Sequence, residues 1–316
     1  MIRRIVRLTF RMHRFEVGAI VILAALLILG SIIVSWALAN VGLSPECQRL
    51  AETGELPDSC VVAFETFNKI ASLASPISLL TTLFPIIAGL LIGGPIMARE
   101  IEHGTTSLAW SLSPSRLRWF LHRVVPMALL LVAVSFAVGA AADHLTHALS
   151  PQADLSASFV GFRFRGVLLA TQAFLLASTA VAVGALFGRA VPTFLLSLIL
   201  GMLTIVAVGL IHRQLLLAEV AIQRQVGDNF FISNADLYID SRFELPDGRL
   251  MTAEEVFIFD PQAFEGEFGQ KYPNVSLIIP GERYRVVEAR EAAIEVVIGL
   301  VVLAGGALVV TRRRPT

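Results

Sequence analysis

The chain has 316 residues and no net charge, and it is 55% hydrophobic but only 16% charged, with a mean hydropathy of +0.73. Soluble domains carry about 25% charged residues, so an ordinary soluble domain is excluded and a polytopic membrane protein is expected. Zero net charge removes the bulk electrostatic argument for nucleic acid, and no G-x-x-x-x-G-K-[ST] stretch is present to cradle a nucleotide phosphate.

The N-terminal run "MIRRIVRLTFRMHR" places Arg3, Arg7, Arg11 and Arg14 on one helical face, with Ile2, Ile5, Leu8 and Met12 largely elsewhere. That pattern fits an amphipathic helix over 1–16 on the inner leaflet. A simple orienting signal fits it as well. A spanning helix needs about 20 apolar residues. Six segments qualify: Val17–Ala39, Ser75–Met97, Val124–Ala142, Gly166–Phe187, Val191–Ile211 and Ala292–Val310. Ala37-Leu38-Ala39 resembles a cleavage site, but an apolar run of about 23 residues is long for a signal core, so span one is expected to stay.

Basic residues near the spans predict orientation. Arg3, Arg4, Arg7, Arg11 and Arg14 precede span one. Arg99, Arg116, Arg118 and Arg123 lie between spans two and three, Arg189 lies after span four, and Arg312, Arg313 and Arg314 end the chain. The first two facing loops hold only Arg49 and Lys69, then Arg163 and Arg165, and the last, from His212 to Glu291, has more Arg but is too long to count. Both termini are therefore expected in the cytoplasm. The scarcity of Lys, found only at Lys69 and Lys271, adds a bacterial source and hence the plasma membrane.

Cys47 and Cys60, the two cysteines, share one extracytoplasmic loop in this topology, where an oxidising compartment favours a disulfide. The segment 212–290 is too long for a bare connection. "HRQLLLAEVAIQRQ" reads as a helix, "FFISNADLYIDSRFEL" as one or two strands, "PDGR" as a turn and "TAEE" as a capping box. A small mixed α/β outer domain is expected, with Phe230, Phe231, Phe257, Phe259 and Phe264 in its core. The chain then divides into the helix over 1–16, spans one to five over 17–211, the outer domain 212–290, and the sixth span with its basic tail, 291–316.

Between spans two and three, "MAREIEHGTTSLAWSLSPSRLRW" is too short and too charged to cross a membrane. Ile101, Leu108 and Leu112 share one side of a helix, and Ser113-Pro114 offers an N-cap and first helical residue for the next span. A short cytoplasmic helix over 99–113 follows. In span two, Ala71, Ser75, Ser78, Thr82, Pro85, Gly89 and Gly93 recur every three or four residues, and in span five so do Thr193, Ser197, Gly201 and Thr204. Small residues let membrane helices approach closely or leave room for a substrate, and Pro85 is expected to kink span two. Glu295 and Gln172 are the polar residues expected deepest in the spans. The absence of a mid-membrane charge argues against ion coupling. His144 and His147 form an H-x-x-H with no third ligand in view, so no metal is expected.

"AREIEHGTTSLAWSLSPSRLRWFLHR" resembles the signature segment of type-2 ABC exporter permeases, and its "SLAWSLSPSRLRW" portion looks like actinobacterial members. Glu100, Gly104 and Thr105 match the Glu and Gly-Thr of the family's coupling segment, except that the gap from Glu100 is longer than that from Glu102. "GALFGRAVPTFL" resembles the family's link between spans four and five. "PGERYRVVEAREAAIEVVIGLVVLAGGALVVTRRR" resembles its terminal region, except that Arg283-Tyr284 replaces an aromatic pair.

The resemblance implies a permease that is not itself an enzyme. ATP and Mg would sit on separate cytoplasmic ATPase subunits, docked through Glu100, Glu102, Gly104, Thr105, Leu108 and Arg116. It also implies a second permease copy or paralogue, with spans two and five lining the path of an amphipathic or apolar substrate. A membrane sensor or resistance protein, whose outer domain binds a peptide or antibiotic, stays open as an alternative.

Overall fold

The computed structural model describes residues 10–41, 44, 47, 57–104, 110, 115–224, 235–260 and 272–313. Among them six helices are long and apolar enough to cross a bilayer. In chain order the helices are α1 (Arg14–Ala39), α2 (Asp58–Ser72), α3 (Ala74–Glu102), α4 (Arg116–Leu149), α5 (Gly166–Phe187) and α6 (Ala190–Leu217), then α7 (Ala253–Phe259) and α8 (Tyr284–Arg312). All but α2 and α7 are the candidate spans.

Most spans outrun their apolar cores because nothing stops them at the polar boundary. α4 begins at Arg116, not Val124, and Ser115 caps it by accepting a hydrogen bond from the Arg118 amide at 3.1 Å. The cap thus falls two residues after the expected Ser113, which with Pro114 lies outside the described residues. α8 begins at Tyr284, so the charged residues ahead of the sixth apolar run belong to the same helix. α3 passes through Pro85 and Pro95 without a break. Helix α2 was not anticipated: Leu73 keeps helical dihedrals, so α2 leads almost directly into α3. Its Asp58 and Lys69 stand at the ends that the helix dipole favours. Cys47 and Cys60 are joined in a disulfide.

The chain forms two compact units. The first, Met1–Gln152, Gly161–Val208 and Glu288–Thr316, holds most of the spanning helices. Lipid tails are as apolar as leucine, so these helices are held by close packing and buried polar bonds instead of by expulsion of water. α5 is the central helix and is mostly buried, mainly against α3 and α4. Glycines permit the contact. A Cβ on Gly93 of α3 would lie 2.6 Å from the Ala177 carbonyl oxygen, and one on Gly89 would lie 2.8 Å from Leu176 Cβ. Phe84, Met97, Phe120, Met127 and Leu169 fill the core around them. On the outside, leucines and isoleucines of α1 and α6 are exposed, as expected for faces meeting lipid.

The second unit, Ala153–Val160 and Gly209–Val287, carries a four-stranded antiparallel sheet. Its strands are β1 (Ala221–Arg224), β2 (Leu237–Glu244), β3 (Leu250–Met251) and β4 (Asn274–Ile279), ordered β1-β4-β2-β3. Ile278 of β4 faces Ala221 of β1 and Tyr238 of β2, with a register shift at Tyr238/Asp240. The Leu245–Arg249 turn forms where "PDGR" predicted it. Gly248 adopts φ +80°, and the Leu245 amide donates to the Arg249 carbonyl at 2.9 Å. The capping box at Thr252 and Glu255 forms as expected.

Two expectations for this segment are corrected. Residues 212–224 do not form a separate helix: α6 runs on to Leu217, and β1 follows. The β-branched Ile222 and the pairing with β4 outweigh the helical pattern there. Nor do Phe257 and Phe259, two of the five phenylalanines expected there, belong to the core among the described residues. Leu245, Val256 and Tyr272 form it with Phe243 and Met251, while Phe257 and Phe259 are exposed because only the Val256 side of short α7 turns inward. Phe230, Phe231 and Phe264 lie outside the described residues.

Candidate functional site: the arginine-rich helix ends

The signature segment begins inside α3. Arg99, Glu100, Ile101 and Glu102 are its last residues, His103 is the C-cap, and Gly104 turns away with φ +67°. The expected helix over 99–113 therefore does not start at 99, because no breaker separates Met97 from Glu102 and the first αL-tolerant position is Gly104. Thr105, Leu108 and residues 111–114 lie outside the described residues.

The three acids here do different things. Glu100 is 5% exposed and pairs with Arg123 of α4 at 2.8 Å. It is therefore an internal strut and not a surface contact. Glu102 is exposed, and its carboxylate accepts the Ala190 amide at the start of α6 at 2.9 Å. Glu16 of α1 pairs with Arg99. Beside them, burial holds the His13 imidazole below its usual pKa; Glu16 opposes this, and Arg123 and Arg99 reinforce it.

The arginines close carbonyl ends. Arg116 donates to the Thr311 carbonyl at 3.2 Å and to that of Arg313, at the end of α8. Arg313 in turn donates to the Ala185 carbonyl at 2.8 Å, near the end of α5, where Gly188 takes φ +63°. The last four carbonyls of a helix lack internal partners, so each contact satisfies a group otherwise left bare. Arg116 also stacks over Trp110, which meets Trp119 edge-on at 6.1 Å. Of the residues expected at this end, Glu100 and Glu102 join α3 to α4 and α6, Gly104 turns the chain after α3, and Arg116 joins α4 to the end of α8. Arg123, Arg313 and the Ala190 amide complete the set, although the sequence reading gave them no such role. Arg123 carried a signal: it lies seven residues after Arg116, on the same helical face.

The two small-residue stripes divide. In α3, Ser75 and Thr82 are exposed and Ser78 is half-buried, whereas Pro85 and Gly89 are buried, Gly89 against α5. Thr82 returns its hydroxyl to the Ser78 carbonyl at 2.9 Å. In α6, Thr193 and Ser197 are fully buried, and Gly201 packs on Leu176 of α5. Thr204 is half-buried and donates to the Leu200 carbonyl at 2.7 Å. Thr193 lies against Gly94, so α3 and α6 touch near the Glu102 bond.

A second polar cluster lies at the other end of α8. Glu291 pairs with Arg163 at 3.1 Å, and Asp143 with Arg165 at 3.3 Å. Glu295 accepts hydrogen bonds from Thr171 and Gln172, so the two deep polar residues picked from the sequence meet. The missed signal was the spacing of Glu288, Glu291 and Glu295, three and four apart on one helical face. His144 and His147 are exposed on α4, and no metal-binding group of three occurs among the described residues.

A family described as "ABC-2 membrane transporter related" matches residues 17–213. The chain belongs to this family. The match covers the first five spanning helices together with the signature segment, in agreement with the resemblance read from Glu100, Glu102, Gly104 and Thr105. Membership of the ABC-2 family and six apolar helices make this a multi-pass membrane protein of the transporter-permease type. No curated protein and no solved structure matches the chain.

Proposed function

We propose that this chain is the permease subunit of an ATP-driven exporter in a bacterial plasma membrane, with both termini cytoplasmic and the sheet-bearing unit outside. Two copies, or this chain and a paralogue, pair with two cytoplasmic ATPase subunits that hold ATP and Mg. The observation that carries this reading is the Glu102–Ala190 hydrogen bond. It joins the end of α3, where the signature segment begins, to the start of α6. A push delivered to the segment after Gly104 therefore reaches both helices that carry the small-residue stripes.

In this mechanism ATP binding draws the ATPase subunits together, and the ends of α3 and α6 move as one. The exposed upper stripe of α3, with Ser75 and Thr82, meets the substrate. Gly89, Gly201 and their partners instead supply close packing against α5. The exposed hydroxyls and apolar surfaces suit an amphipathic or apolar cargo. Among the described residues, the buried charges of the first unit are engaged in pairs and hydrogen bonds away from that stripe.

Co-expression with an ATPase partner tests the proposal. The expected result is co-purification of a Walker-motif subunit whose ATP hydrolysis rises with the permease in liposomes, together with ATP-dependent substrate efflux. A purified chain that brings down no ATPase, or stimulates none, overturns it.

A further inference from the structure

Helices α4 and α8 leave an apolar cavity of about 610 Å³ between them, walled by Phe120, Val124 and Ala128 of α4 and Leu303 and Ala307 of α8, with Phe174 of α5 reaching in. Its rim is open to the outside: Leu121 is 44% and Leu129 65% exposed. The apolar walls end at Leu117 and Thr311, where Arg116 ties the two helices together. A second cavity of about 410 Å³, containing Arg312 and Arg313, shares Leu308 with the first.

Polarity therefore changes along α8, from a hydrocarbon-lined slot within the spans to a cavity with arginines past the shared Leu308. Arg118 stands three residues before Leu121 and seven before Val125, on the flank of the α4 wall. Arg312 stands four after Leu308 on the α8 wall. Both are exposed, and among the described residues no carboxylate pairs with either. Arg313 and Arg116, in contrast, are committed to helix carbonyls.

We propose that this slot is a binding site for one anionic phospholipid, with an acyl chain between α4 and α8 and the phosphate between Arg118 and Arg312. An apolar slot in a membrane protein is filled by hydrocarbon. What selects the occupant here is its end: two unpaired guanidinium groups match a phosphate, whose oxygens accept their forked N–H donors. Basic pockets between spanning helices are suited to such headgroups. A second copy of this chain would bring an apolar helix to the slot but no anion to its mouth. The inference rests on the membrane location alone and stands apart from the transport reading.

The test uses the full chain, purified in detergent and stripped of lipid, then incubated with phosphatidylglycerol or with phosphatidylcholine of the same acyl composition. Bound lipid is counted by native mass spectrometry. Phosphatidylglycerol is expected to be retained about tenfold more strongly. The exposed double change Arg118→Ala with Arg312→Ala should reduce it to the phosphatidylcholine level at an unchanged melting temperature. Ala128→Phe, which fills the slot, should remove both lipids. Equal retention of the two lipids, undiminished phosphatidylglycerol in the double variant or in Ala128→Phe, or a Leu121→Cys cross-link between two copies through this face would each overturn the proposal.

Discussion

The carboxylate of Glu102, last residue of α3, accepts the backbone N–H of Ala190, first residue of α6, at 2.9 Å. One helix thereby caps another. The leading amides of α6 lack internal partners and carry the positive end of its dipole, so an anion there both satisfies and neutralises. Glu102→Ala should cost about 1 kcal/mol of stability, the scale of a lost cap. Melting in detergent should fall by a few degrees, while ATP-driven efflux falls far more because the two helices no longer move together. Full efflux with only the thermal loss would remove this bond from the transmission route.

Glu100 and Arg123 form a buried pair, which makes single and double changes behave differently. Glu100→Ala leaves Arg123 buried without this carboxylate, and breaking one side of such a pair costs about 3–5 kcal/mol. The variant should express poorly. Changing both, Glu100→Leu with Arg123→Met, should recover most of the loss, because apolar replacement also removes the desolvation penalty. Fluorescence-detected chromatography after heating would measure this, and a double variant no better than the single would contradict the assignment.

The α3–α5 contact predicts a contrast between glycines. A methyl at Gly93 would overlap the Ala177 carbonyl oxygen, at 2.6 Å, and backbone cannot swing aside. Gly93→Ala should therefore destabilise by about 1–3 kcal/mol, as overpacking does. Gly209 has open space around its missing side chain, so Gly209→Ala should be neutral or slightly stabilising through helix propensity. Thermal midpoints of the two purified variants, compared with the parent, decide it by sign.

The capping box on α7 carries a pH signature. The Thr252 amide donates to the Glu255 carboxylate at 2.7 Å. That bond holds the Glu255 carboxyl below its ordinary value of 4.5, with further help from the Thr252 side chain and, less strongly, from Arg242. The folded value lies below the unfolded one, so the contribution is complete above 4.5 and is lost as pH falls through the folded value. Amide exchange in α7, corrected for the intrinsic rate, should show lower protection at acid pH. Glu255→Ala should show the lower protection at both pH values. An acid loss that persists in this variant would place its origin elsewhere.

Much of this could be read from the chain. Apolar length alone locates the six spans, because a bilayer tolerates few alternatives to a 20-residue helix. Gly166–Phe187 coincides with α5 to the residue, since Arg165 and Gly188 bound it sharply. Where the reading failed, the deciding partner was distant. Nothing local says that Glu100 turns inward, as its partner is 23 positions away and exposed acids at helix ends are common. Residues 212–225 look helical until β4, some 50 residues later, pairs with β1. Glu102 was picked by resemblance, but its partner is a backbone amide, and a backbone amide leaves no mark on sequence.

The basic tail and Arg116 supply positive charge for orientation, for which any cation serves. In the fold they also act as fasteners: Arg313 closes α5, and Arg116 closes α8. These two roles are chemically separable. Lysine would preserve the positive charge that sets topology yet lacks the planar fork that reaches two carbonyls at once. Arg116→Lys with Arg313→Lys should thus insert the right way round and still come undone at the helix ends, which would make the address and the latch distinguishable in one molecule.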